Sequence, residues 1–289
     1  MRSEKEMFDL ILEVAKADPR VRAVLLNGSR ADKTISKDCF QDYDIVYVVS
    51  EVRPFADSTE WIDVFGERMI LQLPVDWHTH PYDYNSNKPF VYLMQFKDGT
   101  RIDLTICTFE DLKLDAEPTV VLYDKEGILP HLTETGSECY HIKAPSGKQF
   151  RDVCNEFWWL CPYVAKELWR EGLPLAKAIL EQDIRHQLTE ILNWSIGIEH
   201  NFKVNPGKRS KYLKQFLSAE DWYQYEQTFP VLTEESIWNS LFAMCALFRK
   251  KALQVAGFFD YSYPIEEESA VLEYLKHIRG LPKNSQTIY

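Results

Sequence analysis

The chain has 289 residues, 45% of them hydrophobic, and a formal net charge of −11; this length points to two domains, and the balance excludes wholesale disorder. The acidic excess repels polyanions, so nucleic acid is not expected as a partner, and it favours encounter with a cation. No run approaches the roughly 18 apolar residues of a membrane helix, and the opening Met1-Arg2-Ser3-Glu4-Lys5-Glu6 lacks the apolar core of a signal peptide, so no membrane partner and a cytoplasmic location are expected.

Ser3 and Glu6 form a capping-box pattern ahead of Met7, Leu10, Ile11 and Val14 at helical spacing, which predicts a helix over 4–16 that ends at Asp18-Pro19. The β-formers of 21–26 then run into Asn27-Gly28-Ser29-Arg30, a glycine turn after a strand, and a second strand follows over 43–49. A short helix is expected at 61–66 and a strand at 68–73, before a polar, proline-bearing loop over 74–89. The apolar runs 90–96 and 101–107 flank Lys97-Asp98-Gly99-Thr100, and Asp-Gly between such runs predicts a hairpin.

Character changes near Ala144-Pro145-Ser146. Beyond it, apolar-periodic segments at about 148–171, 174–200, 208–218, 219–228, 233–257 and 266–279 read as helices, and the residues from Pro282 as a frayed tail. The expected class is α+β: a mixed-sheet domain over 1–145 followed by an all-helical domain over 146–289. The six cysteines show no metal-type or redox-type spacing and read as reduced and structural. His78-x-His80 reads as a surface loop, and Glu266-Glu267-Glu268 as a solvated face or helix start.

The sharpest chemical signal is Gly28-Ser29 followed by Asp42-Tyr43-Asp44 at the start of a strand. Residues two apart on a strand share a face, so the two carboxylates project together with Cα atoms roughly 6.5 Å apart. They repel unless a cation lies between them, and Mg²⁺ suits hard oxygen ligands of this kind. Asp103 lies on the second arm of the hairpin; if that strand pairs beside 43–49, a third carboxylate joins the edge. Gly28 allows close backbone approach to a ligand, and Ser29 can donate its N–H and hydroxyl to a phosphate. Taken alone, Asp-x-Asp is common at loop-strand junctions; the preceding glycine turn is what turns the pair into a metal seat beside a phosphate cradle.

A Gly-Ser turn, a short helix, Asp-x-Asp on a strand and a third Asp on a neighbouring strand resemble the nucleotidyltransferase superfamily that includes DNA polymerase beta. More narrowly, Phe40-Gln41-Asp42-Tyr43-Asp44-Ile45, Asn155-Glu156-Phe157-Trp158, Tyr163 with Lys166, Arg185 with Trp194, and Gly207-Lys208-x-x-Lys211 look like the streptomycin (aminoglycoside 6-) adenylyltransferases over most of the chain. The sequence departs from the resemblance at Asn27, where an acidic residue is expected, and in the 74–89 loop.

The resemblance implies an enzyme that transfers AMP from ATP to a hydroxyl of a cationic aminoglycoside, streptomycin first; a monomer is expected. Mg²⁺ would be held by Asp42, Asp44 and Asp103. Asp103 would act as general base, and Gly28 and Ser29 would meet the outer phosphates. Read from the residues themselves, Arg30 is either a further phosphate contact or a surface residue, and Lys166, Lys208 and Lys211 are the candidate partners of departing pyrophosphate. Lys208, after Pro206-Gly207, is expected at a helix start. Glu156, Trp158 and Tyr163 are the candidate contacts to the drug. Other small antibiotics, a protein side chain, or binding of nucleotide or drug without turnover are the competing readings.

Overall fold

A computed structural model of the chain describes residues 1–33, 35–114, 117–127, 129 and 140–289. The chain divides into two compact units, Met1–Cys139 and Tyr140–Tyr289. Among the described residues no helix is long and apolar enough to cross a membrane.

The first unit is built on a mixed sheet. Helix α1 (Glu4–Ala17) carries the expected capping box and buries Met7, Ile11 and Ala15. Strand β1 (Val21–Asn27) leads into a tight 3-10 turn, Gly28–Arg30, and β2 (Tyr43–Val49) returns antiparallel to it. Then come a single helical turn α2 (Arg53–Ala56), a 3-10 turn (Trp61–Phe65), and strands β3 (Arg68–Gln72), β4 (Phe90–Phe96), β5 (Arg101–Cys107) and β6 (Thr119–Asp124). The six strands lie in the order β3-β4-β5-β2-β1-β6. The β4–β5 hairpin closes as Asp98-Gly99 predicts, with Gly99 at φ 88° and Phe96 N–H donating to Thr100 O at 2.9 Å. Strand β6 and helix α2 were not expected.

Side-chain alternation gives the sheet two unlike faces. Leu26, Ile45, Tyr47, Tyr92, Leu104 and Ile106 pack with α1 in the main core, where the Tyr47 hydroxyl donates to Ile11 O at 2.6 Å. The opposite face carries a smaller cluster, Ala23, Leu25, Val46, Val48 and Cys107 with Leu129. Asp44 and Asp103 belong by alternation to this second face, beyond the end of its apolar patch.

The second unit is helical. Helix α3 (Gly147–Trp169) starts at a Ser146/Gln149 capping box. A continuous helix over 173–199 follows, made of α4 (Leu173–Ala178), a π-helical turn (Ile179–Ile184) and α5 (Arg185–Glu199). Short pieces come next: a 3-10 turn (Lys208–Ser210), α6 (Leu213–Phe216) and α7 (Ala219–Glu226). Helices α8 (Glu234–Phe259) and α9 (Ile265–Gly280) complete the unit. Phe157, Trp158, Leu188, Trp238, Phe248 and Leu275 share its core, and Phe157 stacks on Phe248 with centroids 3.7 Å apart.

Two expectations change here. No single helix covers 208–218, because Gly207, Arg209 and Ser210 all have positive φ (79°, 53° and 56°), which breaks the helical path. The tail is docked rather than frayed. Lys283 Nζ donates to Leu168 O at 2.9 Å and Trp169 O at 3.2 Å, satisfying carbonyls at the end of α3, and Tyr289 stacks on His277 at 4.6 Å.

Candidate active site

Strand register builds the site. Asp44 of β2 pairs with Asp103 of the parallel strand β5 and with Asn27 of β1, and Thr119 of β6 pairs with Asn27, so these residues form one row across the sheet. Adjacent strands are about 4.8 Å apart, which brings the Asp44 and Asp103 side chains together on the same face. Asp42 sits just before β2, two residues from Asp44.

The glycine turn closes on this row. Gly28 has φ +72°, and a Cβ there would lie 2.4 Å from Asp44 Oδ2. Any other residue would both strain the backbone and push into the carboxylate. Gly28 N–H donates to Pro118 O at 3.0 Å, and Asn27 donates from Nδ2 to Glu117 Oε1 at 3.1 Å. Position 27 therefore orients an acid instead of being one.

Charge is crowded along this edge. Burial, followed by the charges of Asp103, Glu117 and Asp42, pushes the Asp44 carboxyl up to about 7. Asp42 is also raised, chiefly by burial, while the Arg101 guanidinium works the other way. Arg101 grips Asp103 with both arms, Nε to Oδ1 at 2.7 Å and Nη2 to Oδ2 at 2.8 Å, and its Nε is 3.6 Å from Asp42 Oδ2.

Among the described residues no group of three His, Cys, Asp or Glu side chains closes into a metal-holding cluster. The three aspartates line one edge without converging, and a guanidinium stands among them. The residues nonetheless fit a divalent cation. Their donors are hard carboxylate oxygens, the glycine leaves room beside Asp44, and the raised Asp44 marks negative charge short of compensation.

Arg30 packs against the segment that carries the acids. It lies over the Tyr43 ring at 4.0 Å and donates to Gln41 O at 2.8 Å, to Asp42 O at 3.1 Å and to Glu4 Oε1 at 3.2 Å. With each guanidinium nitrogen engaged inside the unit, it holds the backbone that presents Asp42. Gln41 Nε2 donates to Ser29 O at 3.3 Å, which ties the same backbone to the turn.

In the helical unit, α3 separates the expected contacts by helical phase. Trp158 is 1% exposed and faces the core, so it is not a drug contact. Glu156, Trp159, Tyr163 and Lys166 recur at intervals of three and four residues and share the outward stripe. Trp159 is 62% exposed, and Lys166 Nζ sits 4.4 Å from the Tyr163 ring centroid. The lysines are dispersed. Lys208 lines a concavity of about 880 Å³ with Arg185, His186, Glu190, Trp194 and Arg209, whereas Lys166 lies on α3 and exposed Lys211 beyond the 3-10 turn. Lys208 stands on that turn, not at the start of a full helix.

Sequence reading missed two participants. Arg101 had a signal, an Arg two residues from Asp on one strand. Glu117 had none, because its approach depends on β6. Trp159 was among the wider set of aromatic candidates, and the phase of α3 sets it apart from Trp158.

Comparison with known proteins gives the class. The sequence profile described as streptomycin adenylyltransferase matches residues 1–278. The aminoglycoside 6-adenylyltransferase of Bacillus subtilis (strain 168) is 36% identical over 293 residues, spanning 100% of this chain and 99% of that one. Its counterpart from Campylobacter jejuni is 37% identical over 271 residues, covering 93% of each. A crystal structure of an aminoglycoside 6-adenyltransferase from Bacillus subtilis covers 97% of this chain and 100% of that one at 31% identity, with a TM-score of 0.49. The present chain is thus an enzyme of the nucleotidyltransferase class. Within that class it belongs to the streptomycin adenylyltransferase family.

Proposed function

We propose that the chain transfers AMP from ATP to a hydroxyl of an aminoglycoside, with streptomycin as the leading acceptor, releases pyrophosphate and so inactivates the drug. The observation that supports this most is the register of Asp44 with Asp103 beside a glycine turn that only glycine fits. The acceptor hydroxyl attacks the α-phosphorus, a new P–O bond forms, and the bond to the β-phosphate oxygen breaks. Asp103 takes the hydroxyl proton as it is lost, a contribution of about 10²- to 10⁴-fold for a positioned base. Mg²⁺ held by Asp42, Asp44 and Asp103 would offset the charge growing on the α-phosphate oxygens and on the leaving group.

The remaining roles are electrostatic. Gly28 and Ser29 present backbone and hydroxyl to the phosphates, and Lys208, with Lys166 and Lys211 as weaker candidates, offers point charges for pyrophosphate. Glu156 and Tyr163, with Trp159 in place of Trp158, give carboxylate and flat faces for a guanidinium-bearing drug. The division of labour follows the expected domains: transfer chemistry in 1–145, recognition in 146–289. The net charge of −11 suits a cationic acceptor and disfavours nucleic acid. The enzyme acts as a monomer in the cytoplasm, where ATP and Mg²⁺ are supplied.

Mass spectrometry of streptomycin, kanamycin and lincomycin incubated with the protein, ATP and Mg²⁺ tests the reading. An AMP adduct on streptomycin is expected. An adduct on lincomycin alone would move the acceptor to another antibiotic class, and no adduct on any of them would end the small-drug reading.

A further inference from the structure

The acidic edge already holds a cation of its own. Arg101 engages both oxygens of Asp103 at 2.7 and 2.8 Å and reaches within 3.6 Å of Asp42, so one guanidinium bridges two of the three carboxylates assigned above to the metal. Such forked, charge-assisted bonds are strong and directional, and guanidinium gives up its hydration more readily than an ammonium ion. A divalent ion brings two charges where Arg101 brings one, and it must bind Asp103 beside a guanidinium that already engages both oxygens, so the two cations compete for one carboxylate. A guanidinium left within a few ångströms of the metal would also repel it.

The side chain has somewhere to go. Arg101 is 39% exposed and lines an open cavity of about 710 Å³ with Gln95, Gly99, Thr100 and Asp42. Rotation about its own side-chain bonds would swing the guanidinium away from the carboxylates toward that space.

We propose that Arg101 is the resident counter-cation of this edge and is displaced when the divalent metal enters, so that this side chain sets the metal affinity of the site. The inference rests on the metal reading given above. It makes Arg101 a positioning residue: with the metal absent it holds the carboxylates in their register, and its departure frees Asp103.

The test is a titration of the whole protein with Mn²⁺ alone, following free Mn²⁺ by electron paramagnetic resonance, for the wild type, Arg101→Gln, Arg101→Lys and Asp44→Asn. Removing the competing charge should tighten Mn²⁺ binding by about tenfold in Arg101→Gln. Arg101→Lys, which keeps the charge without the fork, should fall between that variant and the wild type, and it carries the test if Arg101→Gln does not fold. Equal or weaker Mn²⁺ binding in Arg101→Gln and Arg101→Lys, with binding lost in Asp44→Asn, would overturn displacement and leave the metal site standing. Wild-type binding unaffected by Asp44→Asn would remove the metal reading itself, and the proposal with it.

Discussion

The two units place functional side chains by different means. In the sheet unit, pairing places them: Asn27, Asp44 and Asp103 occupy one row because three strands share a register, and slipping any strand by one residue would turn its side chain to the other face. In the helical unit, phase places them: Trp158 and Trp159 are neighbours in sequence, yet one is 1% and the other 62% exposed. A strand motif is thus tied to its geometry by a period of two. A helical motif becomes specific only when the buried face is known.

That contrast can be broken at its strongest point first. Asp103→Ala and Asp44→Asn should each lower turnover at least about 10³-fold with the fold retained, measured by adduct formation and circular dichroism; retention of a tenth of wild-type activity would mean that register is not what matters. Trp158→Ala should destabilise by about 3–5 kcal/mol in urea titration through the cavity it leaves, while Trp159→Ala stays within about 0.5 kcal/mol and raises the acceptor KM. Equal stability losses in the two would contradict the assigned phase of α3.

Gly28→Ala should reduce activity by about 10²-fold, because its methyl group would press on Asp44 and the backbone would be strained at φ +72°. A smaller effect concerns pH. The Asp44 carboxyl is raised to about 7 in the fold against an ordinary value of 3.8. Protonation therefore favours the metal-free folded state, and the stability it contributes is lost as pH rises from about 4 through 7. Metal requires the ionised form, so Mn²⁺ affinity should weaken as pH falls below 7, by up to about tenfold per unit. In Asp44→Asn the thermal midpoint should lose this part of its pH slope.

Much of the sheet unit was legible because its signals are local: a capping box for α1, Asp-Gly for the β4–β5 hairpin, Asp-x-Asp at the mouth of β2. Strand β6 was not, since a lone six-residue run such as Thr119–Asp124 carries no turn signal and gains its identity only by pairing with β1. The contribution of Glu117 went unseen with it. Position 27 looked like a departure in the sequence, and only the fold shows Asn27 holding Glu117. The bonds of Arg30 to Glu4, Gln41 and Asp42 were not legible because these partners come from separate segments. In the helical unit the long helices were evident, but the break at Arg209 and Ser210 arises from left-handed backbone at residues that do not favour it, and the docked tail depends on Lys283 finding the end of α3. Neither has a local signature.

The most direct test of the central claim, that the aspartate edge of the sheet carries out adenylyl transfer to an aminoglycoside, is pyrophosphate release from ATP and Mg²⁺ by the wild type and Asp103→Ala, each with and without streptomycin. Release that requires streptomycin and disappears in Asp103→Ala is the predicted result. Release that proceeds equally without the acceptor, or that survives in Asp103→Ala, would contradict it.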